Sequence, residues 1–204
     1  APPDAVSNVT IGQNMECLFL GLNGIHRQMI SQESGYQCMG GLGGMMYIMD
    51  IEADDITWKT NTWMKAAYLG WQCNTNEQNG YNSVFWRLYY QWIMNANGLL
   101  EVLDMTDVNA LSGADKALYE QIRGEALMFR AFSHFQAVQT YADAYKAGGN
   151  NTQLGVPYRT VENRNEKDLA RCTVEETYSL INKDLDEACQ LLEGRKISEL
   201  NHWS

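Results

Sequence analysis

Apolar residues recur along this chain at steps of three and four in four separate stretches, the spacing that gathers side chains onto one face of a helix. The longest predicts a helix over 118–145, LYEQIRGEALMFRAFSHFQAVQTYADAY. There Leu118, Ile122, Ala126, Phe129, Phe132 and Gln136 make an almost wholly apolar face, widened by Phe135, Val138 and Tyr141 as for a helix contacted from more than one side. The stretch holds no Pro and one Gly, Gly124, and its Ala, Leu, Met, Glu and Gln lose least on entering a helix. At 1.5 Å per residue it would run roughly 40 Å, a spine on which other elements can be laid.

Three more helices follow from the same pattern. Met15, Leu18, Phe19, Leu22, Ile25 and Met29 predict one over 11–29, loosened by Gly21 and Gly24. Phe85, Leu88, Trp92, Ala96, Leu99 and Leu103 predict one over 85–103, with Trp86 and Trp92 in its core. The last begins at Thr173, where Glu176 completes a capping box. It keeps Val174, Tyr178, Ile181, Leu185, Ala188 and Leu192 on one face and ends at Gly194. Cys189, beside apolar neighbours on that helix, reads as a small buried thiol.

The connections are less regular. The run GGLGG (Gly40, Gly41, Gly43, Gly44) is followed by Met45 and Met46, not the Lys and Ser or Thr of a phosphate loop. It reads as a mobile loop or a tight backbone approach. Residues 50–81 mix acids (Asp50, Glu52, Asp54, Asp55) with Trp58, Trp63, Tyr68, Trp71 and Tyr81. An EF-hand starting at Asp50 would need Gly at Asp55 and Glu at Asn61, so that reading fails. Residues 104–114 form the loop into the spine, and AGGNNTQLG is a turn after which Val156-Pro157-Tyr158 resumes extended. The expectation is an all-α chain of helical hairpins. The 85–103 helix and the spine are spaced like a tetratricopeptide unit of about 34 residues, although Trp86 lacks the Leu-Gly pair of that repeat.

Composition narrows the function classes. The 204 residues are 45% hydrophobic and 20% charged, as in a globular protein, and fit one domain or part of a larger one. A net charge of -10 argues against a nucleic-acid partner and against docking on an anionic membrane surface. No window of 18 apolar residues offers a membrane span, and the Ala-Pro-Pro-Asp start has no signal-peptide pattern. The five cysteines (Cys17, Cys38, Cys73, Cys172, Cys189) are odd in number, widely spaced and without a CxxC, which disfavours a disulfide framework. His26, His134 and His202 lack metal-ligand spacing. No GxSxG, HExxH or Walker motif is present, so no enzyme, cofactor or metal is expected.

Three segments together resemble the SusD-like (RagB/SusD) family. WRLYYQWIMNANGLLE is similar to the family's W-x-x-x-Y-x-x-I-x-x-x-N pattern at Tyr90, Ile93 and Asn97. IRGEALMFRAFSHFQAVQTYADA resembles its G-E-A-x-x-x-R-A core at Gly124, Glu125, Ala126, Arg130 and Ala131. GVPYRT followed by RCTVEETYSLINKDLDEA resembles its G-x-P-x-R and R-x-T-V-x-E-x-Y-x-x-I-x-x-D-L-x-x-A.

The resemblance spans nearly all of 1–204, as the N-terminal helical part of a longer protein, with a loop-rich binding segment at 34–81 and hairpins over 84–193. It implies a tetratricopeptide-like fold and a cell-surface lipoprotein of the outer membrane, facing outward. Such a protein touches the membrane only through a lipid anchor absent from this chain, and Cys17, inside a helical pattern, is not the lipid-bearing residue. It implies a non-catalytic protein that captures oligosaccharide for a TonB-dependent transporter. By position it also implies a glycan site in the loop before the 85–103 helix. Trp58 and Trp63 would be stacking platforms there, Asp54, Asp55 and Asn61 hydroxyl partners, and Trp71 and Tyr81 further contacts.

The chemistry suits that role. Sugar C–H faces stack on indole while hydroxyls bond Asp and Asn, and loops on a rigid scaffold are where binding residues concentrate. Two other readings stand beside it. The aromatics could seal the helices as core, leaving a protein-interaction scaffold for a transporter or a fimbrial assembly. A hydrolase would need paired carboxylates facing across a cleft at about 5–10 Å.

Overall fold

The computed structural model describes residues 14–32, 40–53 and 80–194. Among these the chain is all-α: α1 (Met15–Ile30), α2 (Gly41–Glu52), α3 (Gly80–Asp104), α4 (Gly113–Tyr141) and α5 (Val174–Leu192), with a 3-10 turn at Val108–Ala110 before α4. The chain divides into two compact units, Ala1–Ile25 with Tyr89–Ser204, and His26–Leu88. No helix among the described residues is long and apolar enough to cross a membrane.

The larger unit is built around α4. Ile122, Ala126, Phe129 and Val138 are buried along it, as the periodicity predicts, and so is Ala137, which the predicted face did not include. Its bounds differ from the sequence expectation. Ser112 accepts a hydrogen bond from the Asp115 amide and starts the helix earlier, while Ala142, at φ -129° and ψ 165°, is already extended and stops it at Tyr141. α5 lies antiparallel to α4: Arg123 pairs with Glu187, Arg130 with Asp184, and Phe135 meets Tyr178 edge to face. A Cβ at Gly124 would stand 2.7 Å from Leu192 Cγ, so the absent side chain lets the two helices close at that end. Leu100 of α3 joins Ala126, Leu127 and Ala188 in one apolar cluster, and Gly21 of α1 sits against Leu99.

The expected capping box of α5 is present: the Glu176 amide donates to Thr173 Oγ1 and the Thr173 amide to the Glu176 carboxylate. Gly194, at φ 72°, lies just past the last turn. Two side chains differ from expectation because each sits about 100° round the helix from a buried neighbour. Cys189 follows buried Ala188 and is exposed, and Trp86 follows buried Phe85 and is 36% exposed. Trp92 is buried, as expected.

In the smaller unit the GGLGG run is not a loop but the first turn of α2. The tight approach foreseen for it is real. Gly41 takes φ 57°, and a Cβ there would collide with the Met29 carbonyl. Met45, Ile48 and Ile51 form the buried face of α2.

Candidate functional site

The predicted glycan segment is framed by two helix ends, the α2 C-cap at Ala53 and the start of α3 at Gly80. Asp54, Asp55, Trp58, Asn61, Trp63 and Trp71 lie outside the described residues. Tyr81 falls in the first turn of α3, and its side chain is likewise outside what the structure describes.

Within the larger unit the structure describes a polar centre that periodicity alone did not reveal. Arg130 of α4 donates from Nε and Nη2 to the two carboxylate oxygens of Asp184 on α5, each at 2.7 Å. Its Nη1 donates to Asn97 Oδ1 of α3 at 3.0 Å. Tyr158 gives its hydroxyl proton to Asp184 at 2.7 Å. Three helices and the segment Gly155–Thr160 therefore meet on one ion pair, all four side chains buried. Burial opposes the Arg130 charge, but the hydrogen bonds and charge of Asp184 outweigh it and hold the guanidinium above its usual range. Burial, then the Asp184 charge, pushes the Tyr158 hydroxyl up. Tyr158 is thereby kept as a neutral donor.

The extended segment is clamped along its length, because a strap without a sheet must find partners for its own backbone. Gly155 donates to the Cys172 carbonyl at 2.7 Å, and the Cys172 amide returns to the Val156 carbonyl. Tyr90 donates to the Pro157 carbonyl at 2.8 Å, Asn163 Nδ2 to Tyr158 and Asn97 Nδ2 to Arg159. Arg171 reaches the carbonyls of Gly155, Leu154 and Tyr141, the last at the C-terminal end of α4 where a cation is favoured. Gly155 is required by space: a Cβ there would lie 2.9 Å from the Thr173 carbonyl and collide with Thr177 Oγ1.

His134 closes the arrangement. Its Nε2 accepts the Arg159 amide at 3.0 Å, so the proton sits on Nδ1 and is donated to the Arg130 carbonyl at 2.9 Å. The ring stacks on Tyr158 with centroids 3.8 Å apart and meets Tyr90 edge-on. Burial pulls its pKa down to about 3. With both nitrogens occupied and the ring held neutral, His134 is a fastener and not a general base. No cluster of metal-ligating side chains occurs among the described residues.

Among the described residues, hollows flank α5 on two sides. A shallow polar one is lined by Tyr145, Glu175, Ser179, Asn182 and Asp186. An apolar groove of about 330 Å³ lies between α4 and α5, with Tyr178 and Leu185 half-buried on its wall.

Several residues that carried the family resemblance take part in this framework: Tyr90, Asn97, Arg130, Gly155, Arg159, Arg171 and Asp184. Comparison with known proteins agrees. No curated protein matches the chain. A solved structure of a SusD-like carbohydrate-binding protein from Bacteroides vulgatus ATCC 8482 superposes with a TM-score of 0.74 at 20% identity. The match covers 93% of this chain but 38% of that one, so the chain spans well under half the length of its structural relative. A SusD-like family model, described as starch-binding and associating with the outer membrane, matches residues 37–201. With most of its length matched by that family model, the chain belongs to the SusD-like family.

Proposed function

We propose that this chain is the N-terminal helical part of a cell-surface glycan-capture protein, which holds oligosaccharide and passes it to a TonB-dependent transporter. The observation that carries the proposal is the family match over 37–201, a range that includes the whole acidic, aromatic segment. The name of the solved relative, a carbohydrate-binding protein, points the same way. In this reading 34–81 is the binding segment, and the helical hairpins follow it over 84–193. Trp58 and Trp63 stack on sugar rings, Asp54, Asp55 and Asn61 bond hydroxyls, and Trp71 and Tyr81 add contacts. Capture and release need no bond chemistry, so the protein works without catalysis. It sits on the outer membrane, facing outward, through a lipid anchor.

Affinity electrophoresis tests the proposal. Migration through gels cast with starch or other soluble polysaccharides should be retarded for one class of glycan and unchanged for the rest. Unretarded migration through every gel by the folded protein would reject glycan capture.

A further inference from the structure

We draw no further inference here: the strongest candidate, the apolar groove between α4 and α5 lined by Met128, Phe132, Phe135, Tyr178 and Leu185, is an unpartnered face, and nothing in the structure shows what covers it.

Discussion

Arg130 and Asp184 face each other across the α4–α5 interface in a two-pronged ion pair, both contacts 2.7 Å, with side chains only 11% and 8% exposed. Such a pair is a weak source of net stability, since desolvating two charges offsets much of their attraction. Its geometry is demanding, however, and here Asn97 and Tyr158 complete it. The pair thereby sets the register of three helices and a strap at once.

Removing one partner should therefore cost far more than removing both. Asp184→Ala leaves a buried guanidinium without its counter-charge, and a loss of about 3–5 kcal/mol is expected in denaturant unfolding. Arg130→Met combined with Asp184→Leu should recover a good part of that loss. Tyr158→Phe, which deletes one hydrogen bond to a charged acceptor, should cost about 1.5–3 kcal/mol. Additive losses in the double variant would contradict the ion-pair account.

His134 predicts an acid-sensitive fold. In the unfolded chain a histidine binds its proton near pH 6.5, whereas the buried ring resists it until about pH 3. Between those values the unfolded state holds more protons, so stability rises with pH and is lost as pH falls through that window. The contribution is up to about 1.4 kcal/mol per pH unit. Unfolding free energies measured from pH 7 to pH 3.5 should fall more steeply for the natural protein than for His134→Gln. Parallel profiles would mean that the ring does not stay neutral.

Two helix glycines should respond in opposite directions to alanine. Gly124→Ala puts a methyl 2.7 Å from Leu192 Cγ and should destabilise by about 1–3 kcal/mol through overpacking. Gly98→Ala, in the interior of α3 with nothing within 4 Å of the new carbon, should stabilise by about 0.5–1 kcal/mol. Thermal unfolding of the two variants gives the sign directly.

The helices were legible because each buries one face, and a 3.6-residue period survives in the apolar residues alone. Thr173 and Glu176 announced the start of α5 for an equally local reason. The glycine run before Met45 hid a helix, because glycine propensity argues for a loop while burial of Met45, Ile48 and Ile51 on one face favours a helix. The polar centre was invisible to periodicity, which follows apolar residues and passes over Asn97, Arg130, His134 and Asp184. A signal did exist. Arg130 and His134 stand four residues apart, at the same helical spacing as Ile122 and Ala126, and thus on the edge of the apolar face. The recurring family pattern contained three of the four residues without saying what they do. Most of the predicted glycan-site residues, read from position and residue type, lie outside the described residues.

Tryptophan fluorescence titrated with plant, host and microbial oligosaccharides shows whether the aromatic segment ahead of α3 holds sugar. A saturable shift with one sugar class is expected, and it should disappear in Trp58→Ala while the melting temperature stays the same. Absence of a shift with any sugar from folded protein would contradict it. So would a Trp58→Ala variant destabilised by about 3–5 kcal/mol, the cost expected of a core tryptophan.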